Sequence, residues 1–458
     1  MIRQKHQVKI FLLNNRIFYS LLIIDIAICT ILNYQANVMN GILGYYYDFA
    51  NFFSYGCDYS KPFINGCYTF PMWGYGFLLA ITKNKLLIVV FQQLLTCITI
   101  IFIDYYAKKY NWIKSIFIFR SLILLSCTWF FFHTSLYPYS ISANLLILSI
   151  FMLLIYLENE KVFAILTSGV LFGLGLNLRS DYYYYILILF LILILLRIFK
   201  CIRTKPKWLI VWFLLINLTL IPWGIYTYKR TGHYCQTSTN AGHVLFISLG
   251  QLPNNIWGIT ASDEDFLMKG LVKEKFGLKG NSLNFQENRY LIKQWKDNVT
   301  KHPIEYAKKC VYNMIKVIIT PFYTGNVECY FYSFKELTDV KIELKNSLST
   351  FSFSSIIRIA STKYLYYIFI QVIFNLINLI VFITFITSFI KYLLVIRFRL
   401  FNNYLSLVLL SIILYQLGLC IFAYYLPIYL SNVYLIFVFL VVYFYDTILI
   451  LRKRINST

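Results

Sequence analysis

Long apolar runs recur along the chain and are separated by short polar segments. Mostly apolar runs occur near 17–35, 84–104, 114–133, 140–157, 162–178, 183–199, 208–226, 364–390, 404–424 and 430–450. A helix of about 20 apolar residues crosses the hydrocarbon layer of a bilayer. The pattern therefore predicts a mainly α, polytopic membrane protein with about ten transmembrane helices.

The basic residues favour every second segment between these runs. The favoured segments are 3–16, 108–114, 197–207, 391–399 and 452–454, whereas the segment ENEK at 158–161 is mixed. Cytoplasmic segments of membrane proteins carry an excess of Lys and Arg. We therefore predict that both termini are cytoplasmic and that residues 36–83 and 227–363 are extracytoplasmic.

Composition agrees with a membrane protein and narrows the choice of partners. The chain of 458 residues is 59% hydrophobic and 13% charged, which is more apolar surface than a soluble core could bury. The formal net charge of +23 could suggest nucleic-acid binding. Because the basic residues lie in short segments between apolar runs, we predict a membrane partner and no nucleic-acid partner.

The spacing of the runs divides the chain into three parts. Residues 1–226 are predicted to form an N-terminal membrane module, which includes the first outer loop at 36–83, and 364–458 the C-terminal transmembrane helices. The segment 227–363 is too long for a connector and carries helical patterning of its own. It is predicted to be a small extracytoplasmic soluble domain. Residues 70–83 are predicted to form a short interfacial helix.

The first outer loop contains carboxylates among aromatic residues. Asp48, Asp58 and Lys61 lie within YYYDFANFFSYGCDYSKPFINGCYTFPMWGYG, residues 45–76. Aromatic rings can cover sugar faces, while carboxylates accept hydroxyl hydrogen bonds or protons. The loop therefore suits a sugar or a lipid headgroup, and an aromatic belt at the membrane surface is the alternative. Cys57 and Cys67 in the same loop form either a disulfide or two free thiols.

Several short motifs occur in a fixed order. They are TFPMWGYGFLLA (69–80), VVFQQLL (89–95), GLGLNLRSDYYYYILI (173–188), IPWGIYTYKRTGHYCQTSTNAGHVLF (221–246) and VTKHPIEYAKK (299–309). In these motifs the chain resembles the GT-C superfamily of membrane glycosyltransferases, and more narrowly the bacterial protein-mannosyltransferase and aminoarabinose-transferase type.

The resemblance implies an enzyme that uses a lipid-linked sugar. Such an enzyme moves a sugar from a polyprenyl-phosphate or polyprenyl-diphosphate donor to a lipid, glycan or protein acceptor on the outer face of a bacterial inner (plasma) membrane. The sequence has no G-x-x-x-x-G-K-[ST] phosphate-binding loop, and a lipid-linked donor needs none. Which sugar and which acceptor are used, and whether a divalent metal ion assists, stay open.

The resemblance also implies a catalytic aspartate in the first outer loop, a few residues before a Tyr and then an Ala, which here would fall near residues 42–44. Here Asp48 follows Tyr47, so the position is shifted. Asp48 is the first candidate for the catalytic carboxylate and Asp58 is the second, and loss of activity is the third alternative. The last outer loop, AYYLPIYLSN at 423–432, lacks an arginine expected in the family.

The expected donor phosphate is assigned to Arg179, Lys229 and Arg230, because arginine offers a fork of donors to phosphate oxygens. Substrate contacts are assigned to Tyr47, Lys61, Asp181 and His243. Each assignment has an alternative: Arg179 pairs with Asp181, Lys229 and Arg230 contact lipid headgroups, and His243 is structural. The acidic run 263–265 is either a helix cap or a metal or substrate contact.

Two other functions compete with the transferase. An O-antigen-type glycan polymerase would place a functional arginine in the large outer loop, where Arg289 and Arg358 are candidates. A lipid or glycan transporter would place ionisable residues deep within several spans. The predicted spans contain few such residues, which are Asp25, Asp104, Arg120 and Asp446.

Overall fold

The computed structural model describes residues 15–39, 69, 72–82, 84–134, 136–263, 265–277, 285–323, 365–396 and 403–456. In chain order the helices are α1 Arg16–Met39, α2 Trp73–Thr82, α3 Lys85–Lys109, α4 Ile116–Leu124, α5 Cys127–Thr134, α6 Pro138–Asn159, α7 Val162–Leu178, α8 Tyr183–Ile198, α9 Pro206–Thr231, α10 Ala241–Ser248, α11 Phe266–Phe276, α12 Phe285–Lys301, α13 Pro303–Ile319, α14 Leu365–Val395, α15 Tyr404–Gly418, α16 Pro427–Ser431 and α17 Tyr434–Asn456. These ranges contain helices and turns and no strand.

Seven helices in the described part are long and apolar enough to cross a membrane. They are Lys85–Lys109, Pro138–Asn159, Ser180–Ile198, Pro206–Thr231, Val372–Val395, Tyr404–Ala423 and Tyr434–Leu451. The helix α7 is apolar but shorter, with 17 residues, and α1 overlaps the first predicted span. The prediction of a helical, multi-pass membrane protein is therefore confirmed, while the count of ten spans stays a prediction.

The segment 114–133 was expected to be one span and is instead two short helices, α4 and α5. The break lies at Leu125 and Ser126. The Ser126 Oγ donates to the Leu122 carbonyl, while the Ser126 carbonyl accepts from the backbone N–H of Trp129 at 2.9 Å and starts the next helix. Serine bonds readily to its own backbone, so it favours helix ends over helix interiors. Apolar periodicity alone does not reveal such a break.

One end of the helix bundle brings together residues in or beside the basic segments 108–114, 391–399 and 452–454. Glu158, at the end of α6, accepts from the Trp112 Nε1 at 2.9 Å and from the hydroxyl of Tyr404, at the start of α15. The backbone N–H of Lys114 donates to Asp446 of α17 at 2.7 Å. The mixed segment 158–161 therefore lies at the same end as residues 110–114 and 403–404.

Three of the four ionisable residues within the predicted spans, Asp104, Arg120 and Asp446, have charged or backbone partners. Asp25 differs, since its Oδ1 accepts from the Cys29 Sγ at 3.7 Å and its buried Oδ2 has no hydrogen bond to a described residue. Arg120 forms an ion pair with the fully buried Asp104 at 2.8 Å, and the Tyr19 hydroxyl donates to the same carboxylate at 2.6 Å. Asp446 accepts from the backbone N–H of Lys114 and Ser115 and so caps the start of α4. A buried charge is costly unless it is paired, so these contacts explain the charges as packing elements.

The opposite end carries a layer of shorter helices. The helices α10, α11 and α12 enclose a small apolar core formed by Phe246, Ile247, Leu249, Met268, Val272 and Leu291. Tyr424, in the connection between α15 and α17, packs against that core. The helix α13 leads from this layer toward the spans. Phe322, three residues after the end of α13, packs on Phe437 of α17. The layer and the helix bundle are thus joined through residues 419–433.

Candidate functional site

Several predicted site residues lie outside the described part of the chain. These are Tyr47, Asp48, Asp58 and Lys61, the cysteines Cys57 and Cys67, and the alternative arginine Arg358. The roles assigned to them therefore stay predictions. The site can be built from Arg179, Asp181, Lys229, Arg230 and His243, all of which the structure describes.

Arg179 and Asp181 lie between the end of α7 and the start of α8. The helix α7 ends at Leu178, and Arg179 is extended, with φ −151° and ψ 126°. A 3₁₀ turn at Ser180–Tyr182 then leads into α8. The Asp181 Oδ2 accepts from the Arg179 Nε at 2.8 Å and from Nη2 at 2.5 Å. The alternative left open by the sequence, a pair between these two residues, is therefore formed.

Aromatic side chains surround this ion pair. The guanidinium carbon of Arg179 lies 3.5 Å from the ring centroid of Tyr139, which stacks on Tyr137 and meets Tyr429 edge-on. The Tyr415 hydroxyl donates to the Asp181 carbonyl at 2.6 Å. A guanidinium that stacks on an aromatic face is stabilised by the cation–π attraction and restrained in its orientation. The pair is nonetheless reachable, since the side chains of Arg179 and Asp181 are 16% and 21% exposed.

Segments from distant parts of the sequence meet beside the pair. The Trp73 Nε1 of α2 donates to Asn177 Oδ1 at 2.7 Å, two residues before Arg179. The backbone N–H of Ser238 donates to the Ser180 Oγ at 3.1 Å. Thr69 and Thr239 are both buried, and their hydroxyls lie 3.0 Å apart. Three of the five sequence motifs are therefore in contact at the Arg179 end of the bundle.

Lys229 and Arg230 lie in the last turn of α9, which Gly232 ends with a φ of 73°. Lys229 is exposed and Arg230 is half-buried. Residues 235–239 run between α9 and the start of α8: Thr227 Oγ1 donates to the Cys235 carbonyl, and Tyr183 Oη donates to Gln236. Two basic side chains at a helix C-terminus also interact favourably with the helix dipole.

His243 lies in α10, in the layer of shorter helices, and pairs with an acidic residue. Its Nε2 is 2.9 Å from Asp263 Oδ1, and the ring is buried while the Asp263 side chain is 84% exposed. The hydrogen bond from His243 lowers the pKa of Asp263. Asp265 accepts from the Met268 N–H and caps α11. A helix cap is one of the two alternatives predicted for the acidic run 263–265. Glu264 is outside the described residues.

The connection between α15 and α17 links the two pairs. Tyr429 is close enough to Asp181 and Arg179 for their charges to act on it, and burial followed by the Asp181 charge raises the pKa of Tyr429. Burial and the charge of Asp263 raise the pKa of Tyr424. The Tyr424 hydroxyl also reaches the Ala261 carbonyl. Residues 419–433 thus pass from the Arg179–Asp181 pair to the His243–Asp263 pair.

Lys309, which sequence reasoning missed as a site residue, positions this connection. Its side chain is fully buried, and its Nζ donates to the carbonyls of Phe422 at 3.0 Å and Ala423 at 2.5 Å. These carbonyls belong to the π-helical turn Leu419–Ala423 that ends α15. Carbonyls at a helix end have no partner within the helix, and a cation is a favourable donor for them. Burial lowers the pKa of Lys309 to about 8.

A sequence signal for Lys309 exists. Lys309, Asn313 and Val317 recur at intervals of four, so a helix places them on one face, and all three are buried. Asn313 Nδ2 donates to Gln251 Oε1 at 3.0 Å, and the Gln251 Oε1 also accepts from the Tyr425 N–H. Because Lys309 shares its helix face with Val317 and Asn313, the sequence pattern indicates that Lys309 is a buried cation. Lys309 thus contacts the turn that leads into residues 423–432.

The glutamines of the second motif have a structural role. Gln92 Nε2 donates to the His133 carbonyl at 2.9 Å, and Gln93 Nε2 donates to the Phe130 carbonyl at 3.2 Å. Both acceptors lie in α5, which ends at Thr134, so its last carbonyls have no partner within the helix. Gln92 also accepts from the hydroxyl of Tyr75 in α2 at 3.3 Å. The first and second motifs are thus joined by a buried hydrogen bond.

The described residues contain no group of three His, Cys, Asp or Glu side chains that could hold a metal ion. No protein-family model, curated protein or solved structure matches this chain.

Proposed function

We propose that the protein is a membrane glycosyltransferase of the GT-C type. It would move a sugar from a polyprenyl-phosphate or polyprenyl-diphosphate donor to an acceptor on the extracytoplasmic face of a bacterial inner membrane. The observation that carries the proposal is the reachable Arg179–Asp181 pair under the ring of Tyr139, at the end of the bundle where the motifs meet. A guanidinium, a carboxylate and aromatic rings suit a sugar phosphate.

In the proposed reaction the acceptor hydroxyl or amine attacks the anomeric carbon of the donor. Its proton passes to a carboxylate, assigned to Asp48 or, failing that, Asp58, with Tyr47 and Lys61 as neighbouring substrate contacts. The bond between the anomeric carbon and the phosphate oxygen breaks, and its electron pair leaves with the phosphate. Arg179, supported by Lys229 and Arg230, stabilises that developing charge. Asp181 holds the guanidinium in position, and His243 is assigned to the acceptor side.

Donor binding can be tested separately from transfer. Undecaprenyl phosphate is added to the purified full chain, and its binding is followed by native mass spectrometry. We expect the parent to bind and Arg179→Lys to bind at least about 10-fold more weakly, because lysine cannot offer a bidentate fork. Arg197→Lys is the matched control at the other end of α8, where Arg197 Nε donates to the Thr204 carbonyl. Equal binding by both variants would remove Arg179 from the site.

Transfer itself tests the carboxylate. We expect Asp48→Asn to lower glycan transfer in membranes by at least about 10²-fold, since it keeps the shape but removes the proton acceptor. Asp58→Asn should cost much less. If the Asp48→Asn membranes transfer as well as the parent membranes, the assignment of Asp48 is wrong.

A further inference from the structure

The helix α13 has two faces of opposite character. One face carries the buried residues Lys309, Asn313 and Val317. The other face carries exposed apolar residues, which are Ile304, Val311, Met314, Ile315, Ile318 and Ile319. Their exposed fractions run from 44% for Met314 to 74% for Ile304. We call these six residues the apolar face of α13.

The apolar face is one continuous stripe of the helix. At 100° per residue its members fall within an arc of about 140°, opposite the arc that holds the buried residues. Among the basic side chains of the helix, Lys309 is buried on the opposite side, and Lys316 lies outside the arc, over the Tyr312 ring. Lys308 falls within the arc near the start of the helix, where it pairs with Glu305. From Val311 to Ile319 the stripe carries no charge.

The position of α13 relative to the spans follows from its buried side. Asn313 donates to the carbonyls of Cys420 and Ile421, at the end of α15. Three residues after α13, Phe322 packs edge-on against Phe382 of α14 and Phe437 of α17. Phe437 lies in the first turn of α17, and Phe382 lies ten residues inside the candidate span Val372–Val395. The C-terminal half of α13 therefore lies beside the end of α15 and the start of α17, and Phe322 after it reaches a position inside the span of α14.

The adjacent helix α14 also presents apolar side chains outward. Val372, Leu376, Ile380 and Ile383 are each at least 48% exposed, as expected of a span that faces lipid. Because α13 contacts α14, the apolar face of α13 extends a surface that the spans already turn toward the membrane.

We infer that the apolar face of α13 lies in the lipid leaflet at the Arg179 end of the bundle, with its acyl chains as the partner. An apolar stripe of this width, uncharged from Val311 to Ile319, is what an interfacial helix inserts among acyl chains. The exposed Lys308, at the N-terminal edge of the stripe, can reach the headgroup level by extending its side chain. A helix surrounded by water would instead carry polar residues on this face. The inference does not depend on the proposed reaction.

Spin-label accessibility tests the inference directly. The full chain carries a single spin label on p-acetylphenylalanine, so that its ten cysteines stay in place, and is placed in phosphatidylcholine nanodiscs. Labels at Ile315 and Ile318 report on the apolar face. A label at Ile380 of α14 represents a lipid-facing position, and one at the exposed Lys273 of α11 represents water. The collision rates with oxygen and with a water-soluble nickel chelate are compared.

We expect Ile315 and Ile318 to favour oxygen over the nickel chelate by at least about 5-fold more than Lys273 does, and to match Ile380. High nickel accessibility at both positions would show a water-facing helix and overturn the inference. Low accessibility to both reagents would show protein on the face, either residues 324–364 or a second copy of the chain, and would overturn it as well. Two labelled positions guard against a local effect of one substitution.

Discussion

Replacing Lys309 tests whether its buried contacts with backbone carbonyls stabilise the fold, beyond the effect of removing one positive charge. In the Lys309→Met variant the Ala423 carbonyl loses the donor that reaches it at 2.5 Å, while the Phe422 carbonyl keeps the Tyr306 hydroxyl as a donor at 2.6 Å. A buried carbonyl left without a donor costs about 1–3 kcal/mol. We expect the free energy of unfolding, measured by SDS titration at pH 7, to fall by about 2 kcal/mol.

Lys308→Met is the control on the same helix. Lys308 is 64% exposed and forms only a surface pair with Glu305 at 3.2 Å. Exposed pairs are worth between zero and about 1 kcal/mol. We expect a change below about 0.5 kcal/mol. Equal losses in the two variants would mean that the carbonyl contacts of Lys309 do not stabilise the fold.

The same lysine makes stability depend on pH above neutrality. Its pKa is lowered to about 8 in the folded chain, against 10.5 for the unfolded chain. Between these values the unfolded chain binds more protons, so the free energy of unfolding rises with pH, whereas below pH 8 this contribution is flat. We expect the parent to gain about 2–3 kcal/mol relative to Lys309→Met between pH 7 and pH 10. A difference that stays constant with pH would contradict the lowered pKa.

At this scale the sequence predicted some side chains and missed others for a physical reason. Arg179 and Asp181 are two residues apart, so their pairing could be weighed from the sequence alone. Lys309 contacts residues more than 110 positions away, and its surroundings depend on how α13 packs on α15. Tyr139 and Tyr429 could not be predicted as neighbours of the Arg179–Asp181 pair either, because only tertiary packing brings them close to it.

At the scale of elements, α7 and α9 approach each other closely through glycine. A Cβ on Gly173 would lie 2.8 Å from Thr219 Cγ2 and 2.9 Å from its Cβ, so alanine cannot fit without moving a helix. The Trp212 Nε1 also donates to Ser168 Oγ across this contact at 3.0 Å. Small residues allow such close helix packing in membranes. We expect Gly173→Ala to lower the free energy of unfolding by about 1–3 kcal/mol, measured by SDS titration.

Gly270→Ala provides the matched comparison. Gly270 lies inside α11, and nothing lies within 4 Å of a Cβ placed there. Alanine is the better helix former by about 1 kcal/mol, so this substitution should raise stability slightly. A loss in both variants, or in neither, would show that the contact with Thr219 is not what restricts Gly173.

Most elements could be predicted from the apolar runs, because a span is defined by its own length and composition. The run 162–178 coincides with α7, and 140–157 lies within α6. The break between α4 and α5 could not be predicted in this way. It depends on hydrogen bonds of Ser126, which do not show in the hydrophobicity of the sequence. For α13, helical patterning was recognised, whereas the outward direction of its apolar stripe required its packed face to be known.

For the whole molecule, locating the C-terminus on one side of the membrane determines the orientation of the entire helix bundle. Residues 112–115, 158 and 403–404 meet the C-terminal part of α17 through Asp446, Glu158 and Asn403. We therefore expect green fluorescent protein fused after Thr458 to fluoresce, and alkaline phosphatase fused there to be inactive, as a cytoplasmic end requires. The reverse result would turn every predicted loop to the other side and place the Arg179–Asp181 pair in the cytoplasm.

The contact between Thr69 and Thr239 has a consequence for the order of assembly during synthesis. The two residues are 170 positions apart, and the described chain between them contains the eight helices α2 to α9. At 5–20 residues per second a ribosome needs roughly 10 to 30 s to make that stretch. For this interval Thr69 has been synthesised while Thr239 has not. A folding factor that protects the segment around Thr69 would therefore have to act within that time, and slowing translation between the two codons would lengthen the exposure.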